Sequence, residues 1–276
     1  MTRNKNTKIL FWGTPEFTLP SLEALIENGY NITAVITNPD EPVGRKQLLT
    51  APPVKVVAEK RGIPALQPVK LDTSFKLKIS SLGPDLFVVA AYGKIIPKEI
   101  LDIPKFGALN VHPSLLPRWR GPSPIQFTIL NGDKESGVTI MRVDELMDHG
   151  PILAKRELAN YELRITNYKD LHDKLAKLGA ELLIETLPKY LRGEIIPLPQ
   201  DDSKATYSKL LKKEDGRIDW TKPAEAIERM ARAFTPWPGA WSIWPTSKGI
   251  FRIRFEKADI WDEQEFRGPP GYVWQK

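Results

Sequence analysis

The sequence predicts an α/β chain, with an open doubly wound parallel sheet followed by a smaller β-rich unit. Three observations predict it. Short, almost wholly apolar runs recur through the first 150 residues, and strands apolar on both faces belong to parallel sheets covered by helices. Helix-like stretches of crossover length separate those runs, which gives βαβ alternation. Tryptophan is concentrated late: six of eight lie between Trp220 and Trp274, so the tail differs in composition from the body. The first unit is thus Rossmann-like in class, and its ligand is expected in the crevice at the carboxyl ends of the strands.

Taken in order, residues 8–12 (KILFW) read as a buried strand that stops at Gly13. Phe17, Leu22, Leu25 and Ile26 then keep a helical spacing up to a cap at Asn28 and Gly29. Residues 32–37 (ITAVIT) are the next strand, and 40–53 a polar loop carrying Arg45 and Lys46. A helix over 54–61 ends at Gly62. A strand at 63–66, a helix at 75–82 and the most apolar strand, 85–91, follow. Residues 108–111 and 137–145 are read as strands. After Gly150 come a strand over 151–158, a long helix over 168–191, and a Pro-rich polar stretch over 195–202 that reads as a linker. A helix over 224–234 is broken by TPWPG, and in 250–255 (IFRIRF) arginines alternate with apolar residues. The expected division is 1–200, a linker at 201–206, and 207–276.

Composition excludes several classes of function. The 276 residues are 41% hydrophobic and 27% charged, as in ordinary globular chains. No apolar run approaches the ~20 residues that cross a bilayer, and the start is too polar for a secretory signal, so a cytoplasmic chain is expected. Cysteine is absent, which excludes disulfides, thiolate zinc sites and cysteine nucleophiles. The three histidines, His112, His149 and His172, are far apart, and no metal site is expected. Forty basic against 34 acidic residues give a net charge of +6. That excess is diffuse, compatible with nucleic acid without naming a partner. The turn after the first strand, Gly13-Thr14-Pro15-Glu16, lacks the glycines of a dinucleotide fingerprint, and no phosphate-binding GxxxxGK[ST] occurs.

The chemistry concentrates in GALNVHPSLLPRWRGPSPIQ, residues 107–126. On a strand, Asn110 and His112 share one face, so both project towards the crevice. An amide N–H can hold a developing oxyanion, and an imidazole moves a proton near neutral pH. The strand at 137–145 leads to Asp148, whose carboxylate could orient the ring. Amide, imidazole and carboxylate together suit acyl transfer without metal or covalent nucleophile. The same residues also admit plainer readings: a structural His before proline, a turn Asn, a loop-capping Asp, and a solvated patch at Arg118, Trp119 and Arg120.

A family resemblance adds to this. FWGTPEF, TNPDEPVGR, APPVKVVAE, VVAAYGKIIP, NVHPSLLPRWRGPSPIQ, GVTIMRVDELMDHG, ATYSKLLKKEDGRIDW and RAFTPWPGAW resemble segments of the methionyl-tRNA formyltransferases. NxHxSLLP with a downstream Asp resembles the wider formyltransferase superfamily, whereas GRIDW and AFTPWPGAW resemble the tRNA branch. The resemblance implies formyl transfer from 10-formyltetrahydrofolate to the amino group of initiator methionyl-tRNA. It implies catalytic roles for Asn110, His112 and Asp148. It implies folate contacts at Ser114, Leu115, Leu116 and Pro117 and along Val89, Ala90, Ala91, Tyr92 and Gly93. Arg45 and Lys46 are the expected tRNA contacts, no metal is implied, and a monomer is expected. Residues 1–200 would be the catalytic domain and 207–276 a small OB-like β-barrel that supports the tRNA. The family's barrel continues past a PPG turn, so a chain stopping at Lys276 is expected to hold it incomplete. Formylation of another amine, such as a sugar nucleotide or glycinamide ribonucleotide, is a rival; PWPGAW and the Arg45 loop argue against it. A non-catalytic RNA-binding relative is a second rival, opposed by the intact Asn110, His112 and Asp148.

Overall fold

A computed structural model of the chain describes residues 6–44, 46–158 and 166–260. Strand β1 (Lys8–Gly13) carries ILFW, whose four side chains are fully buried, two on each face of the sheet. After it, α1 (Leu19–Glu27) opens with a proline in its first turn, where the missing N–H costs nothing. It closes at Asn28 before left-handed Gly29. Strand β2 (Asn31–Ile36) follows. The stretch expected as a polar loop contains a short antiparallel hairpin, β3 (Glu41–Val43) and β4 (Leu48–Thr50). Its strands are exposed on both sides, so no burial pattern marked them in the sequence. The chain continues through α2 (Pro53–Lys60), β5 (Ala65–Leu66), α3 (Thr73–Ser81), β6 (Leu86–Ala90), α4 (Lys98–Leu101) and β7 (Ala108–His112). Then come α5 (Pro124–Asn131), β8 (Ser136–Arg142), β9 (Ile152–Leu158) and the 24-residue α6 (Tyr168–Leu191).

One seven-stranded sheet results, in the order β5-β2-β1-β6-β7-β8-β9. Strands β5, β2, β1, β6 and β7 are parallel, as expected, but β8 and β9 are antiparallel to their neighbours. The departure has a local cause. Helix α5 is only eight residues long, and the chain re-enters the sheet beside His112, so β8 runs back down β7. A parallel partner would need a crossover that returns the chain to the other end.

Helices cover both faces. Ile9, Phe11, Val35, Val88, Leu109 and Val111 face α1 and α6, whose Leu22, Leu25, Leu171, Leu175 and Leu183 complete that core. Leu10, Trp12, Ile36, Phe87 and Ala108 face the other way, against Phe75 and Ile79 of α3 and Ile100 of α4. The switch in connection order falls between β1 and β6, the place where open α/β sheets bind ligands.

The tail holds α7 (Ala224–Phe234) and a hairpin of β10 (Ala240–Thr246) and β11 (Gly249–Phe255). Helix α7 packs on α5, with Arg229 Nε donating to the Leu130 carbonyl at 3.1 Å. Its Ala233 and Phe234 join the larger core, where α7 meets α5 and α6. Ile218, Ala231 and Ala240 form a smaller cluster that Trp220 and Phe255 close. The expected end of the barrel, including the PPG turn, lies outside the described residues, as does Arg45.

Two further expectations need correcting. The stretch 195–202 is not a free linker: Leu198 pairs with Ile152 through both backbone hydrogen bonds, and Gln200 enters the site described below. Arg120 is not part of a solvated patch, being 2% exposed. Neither fact has a local signature, because the first depends on segments about 50 residues apart and the second on segments about 80 apart.

Candidate functional site

Strand alternation puts Asn110 and His112 on one face of β7, while Leu109 and Val111 point into the opposite core. Residues 143–151, between β8 and β9, bring Asp148 over that face. Asn110 Nδ2 donates to Asp148 Oδ1 at 3.3 Å, and His112 Nδ1 lies 3.6 Å from the same oxygen. The second carboxylate oxygen accepts the Gly121 N–H at 2.8 Å. The three residues singled out in the sequence are thus brought together, 38 and 36 positions apart along the chain. The second N–H of Asn110 has no partner among the described residues, so it remains a donor for a ligand.

His112 is 3% exposed, and its Nε2 lies 3.0 Å from the carbonyl oxygen of Trp119. A carbonyl only accepts, so Nε2 carries a hydrogen and donates it. In the neutral ring the proton-accepting atom is then Nδ1, the one beside Asp148. Asp148 Oδ1 is the carboxylate oxygen that faces this nitrogen.

The loop after β7 is built to hold this geometry. Ser114 is buried, its hydroxyl donating to the Arg118 carbonyl at 2.5 Å and its carbonyl accepting from Thr139 Oγ1 at 2.7 Å. The Thr139 hydroxyl also accepts the Leu116 N–H at 3.1 Å. Leu116 packs with Met141 and Ile152, and its carbonyl accepts from Lys155 Nζ. Leu115 and Pro117 are half-buried. Arg118 grips Asp133 through two guanidinium hydrogen bonds, 2.8 and 2.5 Å, and Trp119 Nε1 donates to the same carboxylate at 2.6 Å. Burial alone would raise the Asp133 pKa, but Arg118, Asn131 and Trp119 more than offset it and hold the group below the ordinary carboxylate value.

Backbone strain accumulates here. Trp119 (φ 58) and Asp148 (φ 50) are left-handed without being glycine, each costing about 1–3 kcal/mol unless its surroundings impose it. Gly121 (φ 104) is required: a Cβ would lie 2.3 Å from the Ser208 carbonyl oxygen. Gly150 is equally confined, since a Cβ would sit 1.9 Å from the Arg142 carbonyl oxygen.

On the neighbouring strand, Val89 pairs with Asn110, so the chain leaving β6 passes close to the His112 end of β7. Val89 and Ala90 are buried in the strand, whereas Ala91 (φ 44) and Gly93 (φ 84) are exposed and left-handed. The Tyr92 ring turns into the core against Trp12, and burial pushes its phenol up to about 12. The Tyr92 carbonyl accepts from Thr14 Oγ1 and Asn38 Nδ2. Lys46 is exposed on the β3–β4 hairpin, away from the Asn110 cluster in sequence and element. Among the described residues no group of three or more His, Asp or Glu side chains could hold a metal ion, and no helix is long and apolar enough to cross a membrane.

Sequence reasoning missed four contributors: the Trp119 carbonyl, the Gly121 N–H, Arg120 and Gln200. The first two are backbone groups, which carry no residue-type signal, and the last two meet across 80 positions.

The family description "Formyl transferase" matches residues 6–187, and "Formyl transferase, C-terminal domain" matches 210–276. The chain is similar to the methionyl-tRNA formyltransferase of Citrifermentans bemidjiense, 51% identical over 237 residues, which covers 86% of this chain and 74% of that protein. It is similar to the enzyme of that name from Chloroflexus aurantiacus, 52% identical over 239 residues, with 86% and 76% covered. Among solved structures, a 4-N formyltransferase from Francisella tularensis superposes with a TM-score of 0.68 at 20% identity, covering 93% of this chain and all of that one, which is a likeness of fold.

Proposed function

The chain belongs to the methionyl-tRNA formyltransferases within the formyl transferase family, and from that premise we propose that it transfers the formyl group of 10-formyltetrahydrofolate to the amino group of methionyl-initiator tRNA. The observation that carries the reading is the convergence of Asn110, His112 and Asp148 at one strand end, with a free amide donor and a ring nitrogen beside a carboxylate.

The folate supplies an activated formyl group on nitrogen. Exposed, left-handed backbone at Ala91 and Gly93, one strand away from Asn110, suits the hydrogen-bonding edge of a pterin. Val89, Ala90, Ala91, Tyr92 and Gly93 on that side, and Ser114, Leu115, Leu116 and Pro117 on the other, would flank it. The free N–H of Asn110 would hold the charge that develops on the formyl oxygen, an effect typically worth about 3–4 kcal/mol. His112 Nδ1 would take the proton from the attacking amine and return it to the departing nitrogen. Asp148 would stabilise the ring while it carries that proton. Arg45 and Lys46 would contact the tRNA backbone. We read residues 1–200 as the catalytic domain, 201–206 as a connection and 207–276 as the tRNA-supporting domain, acting as a monomer in the cytoplasm.

The test is a formylation assay with purified chain, 10-formyltetrahydrofolate and either charged initiator tRNA or small amines. Formylation of the tRNA alone is expected. Formylation of sugar or ribonucleotide amines instead, or tRNA binding without turnover, would overturn the reading.

A further inference from the structure

Asp148 presents its carboxylate from a left-handed backbone, and the residue that holds this backbone is Gln200. The Gln200 amide nitrogen donates to the carbonyls of Asp148 and Gly150, both at 2.8 Å. Its Oε1 accepts from Arg120 Nε at 3.0 Å and from a terminal nitrogen of the same guanidinium at 2.9 Å. These partners fix the amide's orientation, because a flipped amide would aim its oxygen at two carbonyls and its N–H groups at a cation. Arg120 is itself buried, and a buried guanidinium persists where its donors are paired. Beyond Gln200 it reaches Asp202 Oδ1 at 2.7 Å and the Tyr207 hydroxyl at 3.4 Å. Asp202 Oδ2 lies 3.5 Å from His149 Nε2, and Leu198 pairs with Ile152. The segment after α6 is therefore laced to the start of β9 through Leu198 and to the Asp148 loop through Gln200 and Asp202.

We propose that Gln200, held by Arg120, is a positioning residue for formyl transfer: it keeps Asp148 left-handed, so that the carboxylate stays on Asn110 and Gly121 and beside His112. The proposal rests on the catalytic reading of Asp148 above. It makes the stretch leading to the C-terminal part of the chain a component of the N-terminal site. Gln200 acts on the Asp148 backbone rather than on its carboxylate, so its effect must pass through Asp148.

The experiment uses the full chain with Gln200→Ala and Gln200→Glu. Glutamate keeps the size of the side chain and its pairing with Arg120, but offers no N–H to the two carbonyls. Both variants are expected to lower kcat roughly 10–100-fold while KM for tRNA and folate stays within about twofold. Adding Gln200→Glu to Asp148→Asn should cost nothing beyond Asp148→Asn alone, because residues acting as one unit are non-additive. Independently of activity, the Gly121 amide hydrogen, which is bonded to Asp148 Oδ2, should exchange with solvent faster in Gln200→Glu than in wild type. Wild-type kcat in Gln200→Glu, losses that multiply with those of Asp148→Asn, or unchanged Gly121 exchange would each overturn the proposal. So would failure of both variants to fold, which would make Gln200 a structural residue. If the wild-type chain formylates nothing, the proposed function falls, while Gly121 exchange still decides whether Gln200 positions Asp148.

Discussion

His112 donates from Nε2 to the carbonyl oxygen of Trp119 at 3.0 Å, and that bond decides which ring nitrogen is free to accept a proton. Trp119 is left-handed and its indole is tied to Asp133, so the carbonyl is presented by a braced loop. In the neutral ring the hydrogen is therefore expected on Nε2, with Nδ1 bare. Nitrogen-15 chemical shifts of the imidazole check this, and an Nδ1–H neutral tautomer would contradict it.

His112→Ala is expected to lower kcat at least ~100-fold, the usual scale of acid–base catalysis. Asn110→Ala is expected to cost ~100–1000-fold through loss of a donor to the developing oxyanion. Steady-state formylation kinetics measure both, and wild-type turnover in either would remove that residue from the mechanism.

Gly121→Ala is expected to destabilise the fold by about 1–3 kcal/mol, because its φ of 104 is strained for any side chain. The added methyl also meets the Ser208 carbonyl, so the Gly121 N–H should leave Asp148 and kcat should fall with stability. Urea denaturation alongside kinetics tests the pair of effects.

Asp133 predicts a pH dependence. Its pKa is lowered in the folded chain, so the stability it contributes is present above the unfolded carboxylate value of 3.8 and is lost as pH falls through the lower folded value. Asp133→Asn should therefore destabilise by about 2 kcal/mol at pH 7, where charge-assisted hydrogen bonds are lost, and by progressively less below about pH 4. Denaturation midpoints of both proteins across pH 3–7 measure the difference, and a gap that widens towards acid would refute the assignment.

Arg45→Ala and Lys46→Ala are expected to raise KM for tRNA and leave KM for the folate unchanged. Each lost phosphate contact should flatten the logarithmic salt dependence by about one. Filter binding and kinetics at two salt concentrations check both parts.

Much of the fold was legible because burial writes itself into composition. Residues 8–12 and 85–91 read as two-sided strands since both faces of their sheet are covered, and α6 and α7 fall where the sequence reads as helix, over 168–191 and 224–234. The β3–β4 hairpin was not legible, because strands exposed on both faces carry no alternation. The direction of β8 was hidden as well, since reversal depends on where α5 delivers the chain and not on the strand's own residues.

Asn110, His112 and Asp148 were legible as candidates in the sequence alone: a period-two spacing put the first two on one face, and the strand at 137–145 led to the third. Only the tertiary structure decided what holds them. The Trp119 carbonyl and the Gly121 N–H are backbone groups with no residue-type signature, and Gln200 and Arg120 lie 80 positions apart. A side chain's type sets what chemistry it can perform. Which partner it meets depends on how distant segments pack, and the strained backbone at Asp148 persists because that packing imposes it.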